Sequence, residues 1–269
     1  MNTTTRQQQF EERGHVIVED VLDAAELAAC GEELRRLHQL AAELIESDAA
    51  DAGHFQVEPF AEQTEAEAGP VLRKIEETYH FSELFAELPK HPKLLPVVRE
   101  LLGDDLLLFR STLMLKPARH GSTHALHQDS SYWPMDPPKL LTVSIALNEA
   151  TAENGCFRII PGSHHWEKQE WGEIATRQDE VGTNRPDVDD SQVQLVPLRA
   201  GSVIMFHSLL VHGSGPNRSD KPRNTALYAY FSPEVRYVPG PDGPRDATHR
   251  VISGLGGAKT HIFRSENPL

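Results

Sequence analysis

The segment His127-Gln128-Asp129 places two metal-ligating side chains two positions apart. On an extended strand such side chains point to the same face, while Gln128 between them points to the other. A third ligand has to come from another strand, and His212, at the end of the apolar run 202–211, is the best candidate. Two imidazoles and one carboxylate on one face of an octahedral metal leave three positions open. This arrangement is typical of non-haem Fe(II) oxygenases, which hold a chelating co-substrate and O2 together.

Arg223 follows His212 closely and stands directly before the apolar run 226–231. Its planar guanidinium binds both oxygens of a carboxylate, so a dicarboxylate could chelate the metal with one end and pair with Arg223 at the other. The HxD pattern alone is weak evidence, because the chain has 14 histidines and a histidine on a strand is commonly structural. The combination of the four residues carries the prediction.

Four motifs occur in a fixed order around these residues. They are HQDSSYWP at 127–134, ENGC at 153–156, IPGSH at 160–164 and FHSLLVHGSGPN at 206–217. Together they resemble the phytanoyl-CoA dioxygenase family, over a stretch from about Phe10 to Phe231. The resemblance implies a double-stranded β-helix core, Fe(II), 2-oxoglutarate and O2, and usually the hydroxylation of an unactivated carbon.

The resemblance also implies roles for single residues. His127, Asp129 and His212 match the iron ligands of the family, and Arg223 matches the arginine that pairs with the far carboxylate of 2-oxoglutarate. Ser214, in the motif His-Gly-Ser-Gly, matches a serine that assists this arginine. The alternative for Ser214 is a turn hydroxyl that bonds its own backbone.

One position departs from the family. Counted from the HxD motif, Ile145 stands where phytanoyl-CoA hydroxylase has a tryptophan near the co-substrate, which makes Ile145 a candidate for the co-substrate pocket. The acidic balance of the chain and the lack of an obvious basic cluster for the phosphates of coenzyme A also argue against a CoA thioester as substrate.

Three further residues are candidates for contact with substrate. Trp133 and Tyr132 follow Asp129 closely and could form a wall of the pocket, and His124 precedes the first ligands. A core or rim position for Trp133 and a surface position for His124 are the alternatives. His207 lies an odd number of residues before His212, so on a regular strand it faces away, and we interpret it as structural.

Hydrophobic patterning predicts a helical part followed by a β core. Helices are expected over 3–13, 23–46, 81–88 and 93–102, and strands over 15–18, 106–115, 140–147, 157–160, 193–198, 202–206 and 227–231. Asp23 and Glu26 form a predicted capping box for the long helix. The predicted fold is mainly β, a jelly roll of the cupin-like kind with N-terminal helices packed against it.

The predicted organisation is one domain over 1–269, with a helical part at 1–103, a β core at about 104–235 and a C-terminal tail at 236–269. Segment 47–70 is interpreted as a loop with little order of its own. The loops 48–70, 117–126 and 165–191 are expected to select the substrate, and 165–191 could form a lid.

Composition narrows the functional classes. The net charge of -14 disfavours a nucleic-acid partner, and the absence of a long apolar run disfavours a membrane span, so a soluble, cytoplasmic protein with a small-molecule substrate is expected. The two cysteines, Cys30 and Cys156, provide no disulfide framework and are expected to be packing residues. The oligomeric state stays open.

Several reactions compete with hydroxylation. Desaturation, cyclisation and epimerisation would use the same cofactors and are not separable from the sequence, whereas halogenation is disfavoured because Asp129 occupies the place that a halide ligand would need. A zinc hydrolase would also accept two histidines and one carboxylate, but it leaves Arg223 unexplained. A cupin-like module that binds a metal or ligand without catalysis is the third class.

Overall fold

The computed structural model describes residues 5–59, 69–170, 174–175, 183–238 and 246–264. The helices are α1 (Arg6–Arg13), α2 (Ala24–Glu46), α3 (Glu83–Glu87) and α4 (Leu95–Leu102). The strands are β1 (His15–Val18), β2 (Phe55–Val57), β3 (Leu72–Glu76), β4 (Leu106–Lys116), β5 (His124–His127), β6 (Met135–Asp136), β7 (Leu141–Ala146), β8 (Phe157–Ile159), β9 (Gln194–Val196), β10 (Val203–His207), β11 (His212–Ser214), β12 (Arg223–Phe231), β13 (Arg236–Tyr237), β14 (Asp246–Ser253) and β15 (Thr260–Arg264).

The start of α2 follows from its capping residues. The Asp23 carboxylate accepts hydrogen bonds from the backbone N–H groups of Ala25 and Glu26, both at 2.9 Å, and the Glu26 carboxylate accepts from the N–H of Asp23 at 2.8 Å. This reciprocal pair satisfies donors that a helix start leaves without partners, and it confirms the predicted capping box.

Antiparallel strands form two main sheets. Within the described residues the large sheet has nine strands, in the order β1-β10-β7-β12-β4-β14-β15, with β3 also paired to β4 and β2 paired to β3. The small sheet has the order β5-β11-β8-β9, and β6 and β13 form a separate pair. Apolar side chains from both sheets join in one cluster, which includes Phe157 and Ile159 from β8 and Ile204 and Phe206 from β10. The arrangement is the mainly β architecture with flanking helices that the sequence predicts.

The other face of the large sheet packs against the helices. Its largest fully buried side chains include Tyr228 and Tyr230 of β12, whose hydroxyls donate to the carbonyl oxygens of Phe85 at 2.9 Å and Pro89 at 3.0 Å. Leu34 and Leu37 of α2 belong to the same cluster. Strand β10 shows this division, since Val203 and Met205 belong to the cluster with the helices, and Ile204 and Phe206 belong to the cluster between the sheets.

Three regions differ from the predictions. Segment 47–70 contains a 3-10 turn at Ala50–His54 and strand β2, and 60–68 lies outside the described residues. Strand β3 was not predicted, and the predicted tail contains β14 and β15, which extend the large sheet. These strands carry charged and polar residues at or near the sheet edge, so they lack the apolar alternation from which strands are predicted.

Two smaller expectations concern cysteines and membrane spans. Cys30 and Cys156 are both buried and both free, as the interpretation as packing residues requires. In the part of the chain that the structure describes, no helix combines the length and apolar character that crossing a bilayer demands.

Candidate active site

The three predicted metal ligands lie at one end of the small sheet. His127 is the last residue of β5 and His212 the first of β11, and the two are direct cross-strand partners. Asp129 does not continue β5, as the sequence suggested, but begins a 3-10 turn at Asp129–Ser131. The turn still directs the carboxylate to the imidazoles, and one ligand atom of each residue lies within 4.8 Å of the others.

Both imidazoles are oriented by backbone carbonyls. His127 Nδ1 donates to the oxygen of Ala125 at 2.8 Å, and His212 Nδ1 donates to the oxygen of Leu210 at 2.9 Å. The Nε2 atom of each ring is therefore the one that can face a metal ion. Each lies near Asp129 Oδ1, at 3.7 Å for His127 and 3.8 Å for His212, which is too far for a hydrogen bond.

These distances fit a shared metal ion. Two ligand atoms that each lie about 2.0–2.2 Å from one ion are about 3 Å apart on one octahedral face and at most about 4.4 Å apart, so the separations of 3.7 and 3.8 Å are within reach of one ion. Imidazoles that donate one ring N–H to a carbonyl, together with a carboxylate that accepts a further hydrogen bond, form the usual surroundings of a protein metal site. The donor set therefore fits Fe(II).

The charges of the three residues suit a metal as well. Burial, and then the charge of His127, lowers the pKa of His212 to about 4, so its imidazole is neutral near neutral pH. Burial by itself raises the pKa of Asp129, but His212, His127 and the Thr142 hydroxyl lower it overall. Thr142 Oγ1 donates to Asp129 Oδ2 at 2.7 Å, which leaves Oδ1 directed at the imidazoles.

A cavity of about 490 Å³ opens next to the triad. It lies between the two sheets, and its wall combines the triad and Ser214 from the small-sheet side with residues of β3, β4 and β12 from the large sheet. A cavity of this size suits a compact ligand together with a small co-substrate.

Arg223 lines this cavity from the large sheet. Its side chain is 3% exposed, and its Nε and Nη2 donate to the carbonyl oxygen of Gly155 at 3.1 and 2.8 Å. Nη1 donates to Thr225 Oγ1 at 3.3 Å. Burial lowers the pKa of Arg223 to about 10. Among the described residues no carboxylate forms an ion pair with this buried cation, so the place of an anion next to it is open to a ligand.

Four other candidates line the same cavity: Ser214, Tyr132, Trp133 and His124. Ser214 is buried on β11 and is the cross-strand partner of His124. Tyr132 is 47% exposed, with its ring centroid 5.6 Å from that of His127, whereas Trp133 is 8% exposed and packs against Phe109. Trp133 thus takes part in an apolar cluster and in the cavity wall at the same time.

Ile145 is not part of the cavity. It faces Val203 and Ala226 on the neighbouring strands, and it belongs to the apolar cluster under the helices. Thr142 lies on the same strand and points to the triad. Because side chains alternate between the two faces of a strand, Ser144 shares the inner face with Thr142, whereas Ile145 faces outwards. The assignment of Ile145 to the co-substrate pocket is therefore wrong. A residue count from the HxD motif crosses a loop, and a one-residue change of loop length exchanges the two faces of a strand.

Sequence reasoning missed Thr142 and a group of cations. Thr142 and Ser144 alternate with Leu141, Val143 and Ile145, and this alternation was a usable signal for a strand with one polar face. Four cations line the cavity besides Arg223: Arg73, Lys74, Arg110 and Lys116. They come from two strands that are far apart in the sequence, so no local run of basic residues indicates the cluster. The expectation that the chain has no basic cluster is wrong, and Ile145 lies outside the cavity, so of the three arguments against a CoA thioester only the acidic balance remains.

The three loops expected to select substrate contribute unequally. Gln56 comes from the first, and His124 and Ala125 come from the second. Of the third, 165–191, the described residues do not line the cavity, and 171–173 and 176–182 lie outside the described residues. Gln169 is bonded to the HxD segment, since its N–H donates to Gln128 Oε1 at 2.8 Å and its carbonyl accepts from Ser131 Oγ at 2.6 Å. The lid stays a prediction.

His207 lies away from the metal triad. It is partly buried on β10, where its ring centroid is 6.3 Å from Phe10 and 5.6 Å from His164. Its Nδ1 accepts from the N–H of Leu209 at 3.0 Å, which is the kind of contact that a structural histidine makes.

Comparison with known families agrees with the site. The model of the family "Phytanoyl-CoA dioxygenase (PhyH)" matches residues 10–225. The chain belongs to the phytanoyl-CoA dioxygenase family. The family and the fold class predicted from the sequence are thereby confirmed.

Two curated relatives cover most of the chain. A probable alpha-ketoglutarate-dependent hypophosphite dioxygenase of Stutzerimonas stutzeri is 25% identical over 253 residues, which are 93% of this chain and 85% of that protein. The ectoine dioxygenase of Sphingopyxis alaskensis is 30% identical over 241 residues, which are 82% of this chain and 73% of that protein.

Solved structures show the same fold. The S. alaskensis enzyme EctD, crystallised with 2-oxoglutarate and 5-hydroxyectoine, superposes with a TM-score of 0.68 at 26% identity and covers 86% of this chain and 77% of its own. SnoN, a non-haem alpha-ketoglutarate-dependent epimerase of nogalamycin biosynthesis, has a TM-score of 0.66 at 26% identity, with 97% and 92% covered. These relatives have different substrates, and SnoN catalyses an epimerisation.

Proposed function

We propose that this protein is an Fe(II)- and 2-oxoglutarate-dependent dioxygenase that hydroxylates a C–H bond of a small molecule. One observation carries the proposal. A single cavity has, on one wall, two imidazoles and a carboxylate with their ligand atoms together and, on another wall, a buried arginine that forms no ion pair with the described residues.

The cofactors supply the bond-breaking chemistry. With Fe(II), 2-oxoglutarate and O2 bound, one oxygen atom enters succinate as CO2 is released, and the other enters the C–H bond of the substrate as a hydroxyl group. Under this proposal His127, Asp129 and His212 hold the iron. Thr142 keeps the carboxylate of Asp129 in position through its hydrogen bond.

The chain's own residues also orient the co-substrate. Arg223 presents its guanidinium in a fixed direction, because the carbonyl of Gly155 accepts two of its hydrogen bonds and the ring of Phe157 lies 5.5 Å from its Cζ. It would pair with the distal carboxylate of 2-oxoglutarate, with Ser214 as a neighbouring hydroxyl. A co-substrate held at both ends has one orientation towards the metal, which is what a selective oxidation requires.

The substrate is placed on the open side of the triad. Tyr132 is half exposed beside His127, and Trp133 and His124 complete the candidate contacts. Arg110 and Lys74 line the cavity with a single acid between them, Glu76, which lies 2.5 Å from Lys74 Nζ and 3.8 Å from Arg110 Nη1. The excess of cations supports a substrate with negative charge over one with positive charge.

Anaerobic addition of Fe(II) and 2-oxoglutarate to the metal-free protein tests the proposal. We expect a visible charge-transfer absorption band and, after admission of O2, formation of succinate. His127→Ala should abolish the band, and Arg223→Ala should abolish it at ordinary 2-oxoglutarate concentrations. Arg199→Ala is the control, since Arg199 is exposed and pairs with Glu19 and Asp20 at the surface. Unchanged spectra and succinate yields in the first two variants would contradict the assignments.

The mass of the product separates the remaining reactions. Hydroxylation adds one oxygen atom, desaturation and cyclisation remove two hydrogens, and epimerisation, which SnoN represents among the structural neighbours, leaves the mass unchanged. A zinc hydrolase would turn over without consuming O2, and a binding module would consume none with any substrate. Oxygen uptake dependent on both Fe(II) and 2-oxoglutarate therefore distinguishes the proposed enzyme from both.

A further inference from the structure

An arginine in the cavity wall lacks a hydrogen-bond acceptor among the described residues. Arg110 lies on β4 and lines the cavity, and its Nε is buried without an acceptor in this part of the chain. The carboxylate that pairs with it is Glu76, whose Oε1 lies 3.8 Å from Arg110 Nη1 but 2.5 Å from Lys74 Nζ. The first distance is too long for a hydrogen bond, so Glu76 bonds Lys74 and leaves the guanidinium of Arg110 unsatisfied.

A β-bulge directs the side chain of Arg110. Two consecutive residues of β12, Ala229 and Tyr230, pair with Arg110 and Leu108 of β4. Phe109 is therefore an extra residue that has no partner on β12. Neighbouring side chains on a regular strand point to opposite faces, but here the Cζ of Arg110 lies 5.2 Å from the centroid of the Phe109 ring. Bulges of this kind turn a side chain to a new direction and are common next to active sites.

Three aromatic rings connect Arg110 with the metal triad. The ring of Phe109 packs edge-on against Trp133, with their centroids 5.2 Å apart. Tyr132 precedes Trp133, and its ring centroid lies 5.6 Å from that of His127. Trp133 and Tyr132 both line the cavity, so a ligand that touches the guanidinium of Arg110 can extend along them towards the triad.

The co-substrate corner lies at the other end of β4. Arg110 stands six residues before Lys116, which is about 20 Å on an extended strand, and Lys116 is the cross-strand partner of Arg223. Between the two ends, Met114 and Leu227 give the cavity an apolar floor. A molecule of 2-oxoglutarate is much shorter than this distance, so a carboxylate beside Arg223 leaves Arg110 available to a second ligand.

We propose that Arg110 binds an oxyanion of the substrate, a carboxylate or a phosphate, and that the apolar part of the substrate extends from there towards the triad. The inference rests on the proposed function, because it takes the triad as the place of reaction. A guanidinium binds two oxygens of a carboxylate or phosphate at once, and such a ligand supplies the acceptor that Arg110 lacks. An ammonium group would instead face two cations, Arg110 and Lys74, against one acid, Glu76.

Four compounds with a short alkyl chain and different head groups test the inference: hexanoate, hexyl phosphate, hexylamine and hexanamide. Each is titrated calorimetrically into the anaerobic protein with Fe(II) and saturating 2-oxoglutarate, so that the corner at Arg223 is already occupied. We expect at least one of the two anions to bind about 10- to 100-fold more tightly than the amine and the amide, because hydrogen bonds between charged groups are the stronger ones. The tighter anion identifies the oxyanion as a carboxylate or a phosphate.

Variants of Arg110 assign the effect to this residue. Arg110→Gln should weaken binding of the preferred anion by about 10- to 100-fold and leave the affinities for hexanamide and 2-oxoglutarate unchanged. Arg110→Lys should recover part of the loss, since an ammonium keeps the charge but not the fork of donors. Arg250→Gln is the matched control. Arg250 is also partly exposed, with its Cζ 5.3 Å from the Tyr79 ring and a nitrogen 3.6 Å from Glu87, but it does not line the cavity.

Three results would overturn the inference. Equal affinities for hexanamide and both anions, or no binding of either anion to the wild-type complex, would exclude an oxyanion site in the cavity. Weaker anion binding in Arg73→Gln together with unchanged binding in Arg110→Gln would place the anion at Arg73 on β3. In all three cases a charge-transfer band with Fe(II) and 2-oxoglutarate leaves the proposed function intact, whereas its absence from the wild-type protein would refute the proposed function and this inference with it.

Discussion

The two sheets that enclose the cavity contribute opposite kinds of side chain. The small sheet supplies His127 and His212, whose Nδ1 atoms bond backbone carbonyls. The large sheet supplies Arg223 and Lys116, which are buried side by side on paired strands. The difference teaches that backbone carbonyls already orient the predicted metal ligands, whereas at the other end Arg223 and Lys116 form no ion pair with the described residues, so a carboxylate ligand is expected to balance their charge.

The largest effect is expected from the metal end. His212→Ala removes one of three ligands, so iron binding should be lost and turnover should fall by about 1,000-fold, because a bound metal contributes several kcal/mol to such reactions. His207→Gln is a matched control, since His207 is a partly buried histidine that packs against Phe10 and His164 and not against the triad. Metal analysis measures the iron content of both variants. Equal losses of iron would contradict the assignment of the iron ligands to the small sheet.

Arg223→Ala tests the anion end. Truncating one partner of a buried charge pair costs about 2–5 kcal/mol, so the KM for 2-oxoglutarate should rise by about 30- to 1,000-fold. The Kd for iron in the absence of co-substrate should be unchanged. Steady-state kinetics and metal titration check the two parts separately, and weakened iron binding in Arg223→Ala would contradict a division of labour between the sheets.

Thr142→Val concerns a hydrogen bond from the large sheet to Asp129, one of the predicted metal ligands. It removes the hydrogen bond to Asp129 Oδ2 but keeps the shape of the side chain, so iron affinity should fall by about 10- to 100-fold. Ser144→Ala is the control on the same strand and face, because the Ser144 hydroxyl is buried without a hydrogen-bond partner in the described structure. Equal iron affinities for the two variants would remove Thr142 from the site.

Ile145→Ala separates the two faces of β7. The side chain is fully buried under the helices, so the free energy of unfolding should fall by about 2–5 kcal/mol. The affinities of the folded variant for iron and 2-oxoglutarate should equal those of the wild-type protein. Urea unfolding and calorimetry measure the two quantities, and a selective loss of 2-oxoglutarate affinity would restore Ile145 to the cavity wall.

The smallest effect is expected on the stability of the folded protein at acidic pH, and it concerns His207, which lies away from the metal triad. Burial, and then the charges of His164, His165 and Lys139, lowers the pKa of His207 from 6.5 to about 4. Between these values the unfolded chain binds more protons than the folded one, so stability from this residue is present above pH 6.5 and is lost as pH falls towards 4. His207→Gln should flatten the fall of melting temperature in this range, with and without iron. An identical pH profile in the variant would show that His207 does not contribute.

Much of the fold and of the site could be predicted from local patterns. The capping box of α2 and the apolar runs of β4, β7 and β10 predicted the corresponding elements, since caps and alternation act over a few residues. The sequence also named the three residues whose ligand atoms the structure brings together. Their role as iron ligands, and the roles of Arg223 and Ser214, stay predictions until the variants are measured.

The sequence by itself determined the fold class and the residues that can carry out chemistry. The fold is mainly β, and the residues are two histidines and an aspartate in family motifs with an arginine after the last of them. Only the tertiary structure decided that Thr142 supports Asp129, that Ile145 faces the helices and that Lys116 lies opposite Arg223. The physical reason is that these facts depend on strand register and loop length. A shift of one residue in either exchanges the inner and outer faces of a strand without any change in the local pattern.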